Sequence, residues 1–266
     1  MIRFGRKKSK LQNDAMQIQI ERQHILGPDS GFFMREAYKT LRTNMTFALA
    51  DGEGCKVVII TSAMKSEGKS ITAVNLAISY AQMNRRVLLV DCDLRRPKLA
   101  RLLNIQAHVG LSNILVDPEL LSQAILTGPN PNLHFLLSGD VPPNPSELLA
   151  SARFKRLLEE LKKSYDYILL DTSPVNMVTD ACVLVPESNG VLFVVRAGIT
   201  ERNAVKHAVE QLEYSKAKIL GFVLNGAESE KTGYGKYRLG GYKRYGYEYG
   251  YYGYGGYESR SKKRGG

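Results

Sequence analysis

The rhythm of apolar and polar positions changes three times along the chain. Residues 1–27 are polar and charged without a sustained period, and Pro28-Asp29-Ser30 then supplies a helix-start signal. Beyond it Phe33, Ala37, Leu41 and Met45 recur every fourth residue. That spacing predicts an amphipathic helix from about Gly31 to Ala50, with Glu36, Lys39 and Arg42 aligned on its polar side. From Cys55 onward apolar runs alternate with helical patterns: Lys56-Ile60, Val87-Asp91, Leu133-Leu137, Tyr167-Asp171, Val191-Arg196 and Ile219-Asn225. Continuous Val/Ile/Leu runs between helices describe strands buried on both faces, so the predicted fold class is α/β, a doubly wound, mostly parallel sheet. In such sheets ligands collect at the carboxyl ends of the strands, and the residues just after each run carry the candidate chemistry.

After Asn225 the pattern stops. Ten of the fifteen tyrosines lie between Tyr234 and Tyr257, among Gly, Lys, Arg and Ser, with almost nothing aliphatic to bury. Three segments are expected: a basic flexible segment over 1–30, one nucleotide-binding domain over 31–227, and a disordered tyrosine-rich tail over 228–266. The 266 residues, 44% apolar, suffice for one large core. The formal charge of +11 is concentrated at the ends, with +5 in residues 1–12 and +5 in 228–266, which leaves about +1 for the middle. That distribution gives no domain-wide basic footprint for duplex nucleic acid, and no specific nucleic-acid partner is expected. Cys55, Cys92 and Cys182 are odd in number and scattered, which argues against a disulfide framework or zinc site and for a reducing cytoplasm. No apolar run approaches the roughly 20 residues of a membrane span, and the basic start is not followed by a signal-peptide pattern.

The first strand runs into Thr61-Ser62-Ala63-Met64-Lys65-Ser66-Glu67-Gly68-Lys69-Ser70 and then into a helical pattern. Strand, glycine-containing loop and helix in that order make a P-loop. The backbone N–H groups of Ala63, Met64, Lys65, Ser66, Glu67 and Gly68 would wrap phosphates at a helix N-terminus. Lys69 would reach the β- and γ-phosphates of ATP, and the Ser70 hydroxyl would ligate Mg²⁺. Ala63 replaces the first glycine of the pattern, whereas Gly68 is kept. The second strand ends in Asp91-Cys92-Asp93, two acids spaced to point the same way, and Tyr167-Asp171 ends in a third, placed to hold Mg²⁺ through water.

The P-loop TSAMKSEGKS, the acidic strand VLLVDCDLRRP, the strand YILLDTSP and the terminal tyrosine cluster together resemble the bacterial tyrosine kinases of capsule and exopolysaccharide synthesis, relatives of the MinD/ParA P-loop ATPases. The resemblance runs from about Glu36 to the C-terminus. Smaller echoes are Gly110-Leu111-Ser112-Asn113-Ile114-Leu115, Pro142-Pro143-Asn144-Pro145-Ser146-Glu147-Leu148-Leu149 and Gly221-Phe222-Val223-Leu224-Asn225. What it implies is an ATP-dependent autokinase with Lys69, Asp91 and Asp93 as catalytic residues and Ser70, Asp93 and Asp171 around Mg²⁺. Asp91 is the favoured proton acceptor, and Asn225 would contact adenine. The phosphoacceptors would be Tyr242, Tyr245, Tyr247, Tyr249, Tyr251, Tyr252, Tyr254 and Tyr257.

The resemblance further implies subunits joined into a ring through an ExxRxxR helix, here Glu36, Lys39 and Arg42, with lysine in place of the first arginine. The implied partners are a membrane adaptor that recruits the cytoplasmic kinase to the inner face of the membrane, a protein-tyrosine phosphatase and other protein substrates. Two departures stand out: Lys65-Ser66 where the family usually carries Pro-Gly, and Met64 where related ATPases place a second lysine. A MinD/ParA-like ATPase switch without kinase activity accounts equally for residues 55–225 but leaves the ten tyrosines unexplained. A nucleic-acid-binding tail, with aromatics stacking on bases, is a third reading.

Overall fold

The computed structural model describes residues 15–227. Within them the expected alternation is present. Helix α1 (15–22) and α2 (Phe32–Ala48) precede β1 (Lys56–Ser62), α3 (Lys69–Ala81) and β2 (Val87–Asp91). Short helices α4 (Leu99–Leu103), α5 (Leu111–Val116) and α6 (Leu121–Ala124) lead to β3 (Ile125–Thr127) and β4 (Leu133–Leu136). Then come α7 (Pro145–Leu149), α8 (Ala152–Lys162), β5 (Tyr167–Asp171), α9 (Asp180–Val183), β6 (Gly190–Arg196), α10 (Arg202–Tyr214) and β7 (Ile219–Asn225).

The seven strands form one sheet in the order β3-β4-β2-β5-β1-β6-β7. All neighbours are parallel except β3 on β4. β3 is three residues long and antiparallel at an edge, too short to leave a periodic signal in the sequence. Alternation within β1 divides the core: Val57 and Ile59 pack on one face with Leu111, Phe154, Leu158 and Leu212, and Val58 and Ile60 on the other with Met45, Leu76 and Tyr80. Burial on both faces explains why the strands read as unbroken apolar runs.

Because the strands are parallel, their carboxyl ends share one edge. Asp91 of β2 and Asp171 of β5 are register partners, Ile60 of β1 pairs with Asp171, and Arg196 of β6 pairs with Asn225 of β7. The strand order therefore sets two acids, the P-loop, a guanidinium and an amide in one row.

Residues 15–30 depart from the flexible segment expected for 1–30. Buried Asn75 of α3 clamps the stretch after α1: its Oδ1 accepts from the Leu26 N–H at 2.7 Å and its Nδ2 donates to the His24 carbonyl at 2.8 Å. Arg22 donates to the Arg101 carbonyl and to Asn104 Oδ1, and Lys98 pairs with Glu21. These partners lie more than 45 residues away, beyond the reach of local periodicity. Among the described residues no helix is long and apolar enough to cross a membrane.

Candidate active site

The P-loop turns on Gly68, the N-cap of α3, at φ 94°. A Cβ on this residue would lie 1.8 Å from Asn225 Nδ2, so both conformation and space demand glycine. Asn225 Nδ2 donates to the Glu67 carbonyl at 2.9 Å, which ties the end of β7 to the loop. Ala63, in place of the pattern's first glycine, is buried and outside the positive-φ positions, so its methyl is accommodated without backbone strain. Ser66 does adopt a left-handed conformation, φ 65°. This is the position where glycine would be expected, and the Ser66 carbonyl is held by Arg196 Nη1 at 2.8 Å. Met64, Lys65 and Ser66 are exposed.

Two residues with no motif of their own secure the loop from β6 and the turn after it. Buried Glu67 accepts from the Met64 N–H at 2.9 Å and from Thr200 Oγ1 at 2.5 Å, and Thr200 Oγ1 in turn accepts from the Arg196 N–H. Arg196 and Thr200 were not legible as site residues. Their one signal is that they follow the apolar run Val191–Val195 at the sheet's carboxyl edge.

Lys69 is the hub of the acids. Its Nζ lies 3.3 Å from Asp93 Oδ2, 3.7 Å from Asp171 Oδ1 and 3.5 Å from Ser70 Oγ. Burial alone would lower the Lys69 pKa, but the charges of Asp171, Asp93 and Asp91 outweigh it and raise the value, so the ammonium form is held. Asp171 is 1% exposed, and neither of its oxygens makes a hydrogen bond of ordinary geometry. Its pKa is raised, by burial first, against the pull of Lys69 and Ser70. Asp91 is fully buried, and its pKa is pushed up to about 7 by burial and then by the Asp171 charge.

The three acids thus have different surroundings. Asp91 spends both oxygens on backbone: Oδ1 accepts from the Asp93 N–H and Oδ2 from the Leu99 N–H, each at 3.2 Å. It shapes the loop between β2 and α4 and is wholly enclosed. Asp93 keeps 10% of its side chain exposed, and its Oδ1 accepts from Ser173 Oγ at 2.7 Å and from the Arg96 N–H at 3.2 Å.

Beside this cluster lies a fourth acid that the motifs did not mark. Asp180, fully buried, accepts from Arg95 Nε at 2.9 Å and Nη2 at 3.2 Å and from Ser146 Oγ at 2.6 Å, and Ser173 Oγ lies 3.3 Å away. It brings together three stretches that are separate in the sequence: Arg95 follows the acidic strand β2, Ser173 follows β5, and Ser146 belongs to the Pro142–Leu149 segment.

Magnesium fits this donor set. An orphaned buried carboxylate at Asp171 and the nearby Ser70 hydroxyl are hard oxygen ligands. Among the described residues no three His, Cys, Asp or Glu side chains form a metal cage. The ion would accordingly complete its shell with phosphate oxygens and water, the usual arrangement for Mg²⁺ in phosphoryl transfer.

The expected oligomerisation residues all lie on α2. Glu36 and Lys39 close on each other at 2.7 Å across one turn of α2, and Arg42 Nη1 donates to the Ser79 carbonyl and hydroxyl at 2.8 and 3.2 Å, pinning α2 to α3. The expected phosphoacceptor tyrosines, 242 to 257, lie outside the described residues.

Comparison with known proteins gives three concordant results. The AAA domain family matches residues 55–218. The tyrosine-protein kinase YwqD of Bacillus subtilis is 40% identical over 203 residues, 76% of this chain and 85% of that protein. Among solved structures, the chimerical protein CapA2B2 superposes with a TM-score of 0.71 at 35% identity, covering 76% of this chain and 88% of that one. The kinase domain of the Escherichia coli tyrosine kinase ETK superposes with a TM-score of 0.70 at 33% identity, covering 78% and 80%.

Proposed function

The chain belongs to the bacterial protein-tyrosine kinases built on a P-loop ATPase fold, and we propose that it transfers the γ-phosphoryl group of ATP to tyrosines of its own C-terminal segment. The observation that carries this reading is the Lys69–Asp93–Asp171 cluster at the mouth of a P-loop, in a chain whose residues 234–257 hold ten tyrosines.

A tyrosine hydroxyl, with a pKa near 10, is a poor nucleophile at neutral pH and needs a carboxylate within reach. We assign that role to Asp93 rather than to the expected Asp91, because Asp93 keeps some exposed surface beside Lys69 while Asp91 is enclosed and committed to two backbone amides. The tyrosine oxygen bonds to the γ-phosphorus, the bond to the β,γ-bridging oxygen breaks, ADP departs and the phenolic proton passes to Asp93. Lys69 and the P-loop amides stabilise charge on the phosphoryl oxygens. Asp171 and Ser70 would hold Mg²⁺, which neutralises phosphate charge when bound. Asn225 is assigned to the adenine end of the nucleotide.

Each added phosphate carries roughly −1.5 to −2 charges, so a few reverse the +5 of residues 228–266 and form a switch. In the setting the family resemblance implies, that switch regulates capsule or exopolysaccharide synthesis. It would work with a membrane adaptor that recruits the kinase, homo-oligomerisation through the α2 face, a phosphatase that resets the tail, and further protein substrates.

The test is to incubate the purified chain with ATP and Mg²⁺, with and without a cytoplasmic adaptor tail, and to map phosphate by mass spectrometry. Phosphotyrosine confined to residues 234–257 and abolished by Lys69→Met is expected. ATP hydrolysis with no phosphotyrosine under either condition would make the protein a MinD-like switch instead.

A further inference from the structure

The P-loop opens on its outer side into a cavity of about 450 Å³. The loop supplies Ser66 and Gly68, β7 supplies Asn225, and the opposite wall comes from α1 and the turn after it, through Ile20, Glu21 and His24. Its lining mixes aliphatic side chains with a few polar groups, and its size falls within the range of small-molecule sites. That character suits a purine and ribose, whose faces are apolar and whose edges form hydrogen bonds.

The wall from α1 is fastened, not loosely apposed. Asn75 uses both ends of its amide on it, and Arg22 reaches the Arg101 carbonyl and Asn104. Glu21 pairs with Lys98 Nζ at 2.5 Å, 29% and 16% of the lysine and glutamate side chains being exposed. Lys98 is the residue immediately before Leu99, whose N–H is held by Asp91. One latch therefore joins the wall of the cavity to the acidic loop at the phosphate end.

We infer that residues 15–27 are a strap forming the outer wall of the nucleotide's base-and-ribose subsite, latched through Glu21–Lys98 and Arg22, so that they slow nucleotide release. The inference rests on the ATP-binding reading above, and ligands with and without a base separate the two. P-loop contacts serve any polyphosphate, whereas the strap serves only a ligand that carries the nucleoside.

The experiment measures binding of ATP and of inorganic tripolyphosphate, both with Mg²⁺, to the full chain by calorimetry, and release of a fluorescent ATP analogue by stopped flow. The variants are Glu21→Gln/Arg22→Ala, which unlatches the strap, and Ala37→Trp, which fills the cavity from α2, where Ala37 is exposed and a larger side chain does not disturb the core. Expected are at least about tenfold weaker ATP binding and faster release in both variants, with tripolyphosphate affinity within about twofold of wild type. Unchanged ATP affinity, or equal loss for both ligands, overturns the strap's role. If wild type binds tripolyphosphate and ATP equally, the cavity holds no base and the inference fails while the phosphate site stands. If wild type binds neither, the nucleotide reading fails and takes this one with it.

Discussion

Two buried acidic regions lie side by side at the carboxyl edge of the sheet, and they are opposites. Around Asp180 the carboxylate is satisfied: three hydrogen bonds converge from Arg95 and Ser146 on a side chain with no exposed surface. Around Asp171 the carboxylate is equally buried but makes no hydrogen bond of ordinary geometry, with Lys69 at 3.7 Å. A buried charge satisfied by the protein holds structure together. One left unsatisfied costs stability in the nucleotide-free protein, and that cost makes sense where ligand is to complete the site. Ser173 stands between the two, giving its hydroxyl to Asp93 at 2.7 Å and lying 3.3 Å from Asp180.

The sharpest break in this contrast comes from activity. Lys69→Met is expected to lower tyrosine phosphorylation by at least about 100-fold, measured as phosphate incorporated per chain, because it removes a side-chain cation placed at both Asp93 and Asp171. Asp171→Asn should also cost about 100-fold in activity, yet its effect on urea unfolding of the nucleotide-free protein should stay within about 1 kcal/mol, since the lost Lys69 pairing is offset by relief of an unsatisfied buried charge.

Asp180→Ala is expected to do the reverse in stability: a loss of about 2–4 kcal/mol in the same urea measurement, because Ser146 and Arg95 lose a shared partner. Equal destabilisation by the Asp171 and Asp180 substitutions would erase the distinction.

A smaller effect is read through pH. The Asp91 pKa is raised from 3.8 to about 7, chiefly by burial. The folded protein therefore binds more protons at this group than the unfolded chain between about pH 4 and 7, and the group's contribution to stability falls as pH rises through that window. The destabilisation caused by Asp91→Asn should accordingly be larger at pH 5 than at pH 8, by on the order of 1–2 kcal/mol, in thermal or urea unfolding. The smallest change expected is Ser66→Gly, which relieves the left-handed backbone at φ 65° and should stabilise the protein by about 0.5–1 kcal/mol in the same assay.

Much of this architecture was legible beforehand. The six apolar runs read from the sequence coincide with β1, β2, β4, β5, β6 and β7 to within two residues at either end, and the helix expected over Gly31–Ala50 is α2. The P-loop was legible because strand, loop and helix are contiguous. Strand β3 was not, at three residues, and α1 was not, because the contacts that hold its segment come from Asn75, Lys98, Arg101 and Asn104 rather than from its own period. Among the candidate residues Lys69, Ser70, Asp93 and Asp171 meet in one cluster, whereas Arg42 turns inward to Ser79.

Sequence alone determined the six longer strands, helix α2 and the chemistry at the strand ends, because helical and strand periods, turn residues and the P-loop depend on neighbours a few positions apart. Only the tertiary structure decided how the acids divide their work. The hydroxyl that holds Asp93 is 80 residues away in the chain, the guanidinium on Asp180 is 85 away, and the lysine shared by Asp93 and Asp171 arrives from a different strand end. Whether a buried carboxylate is satisfied depends on strand order and on partners brought across the sheet, and no local pattern records that.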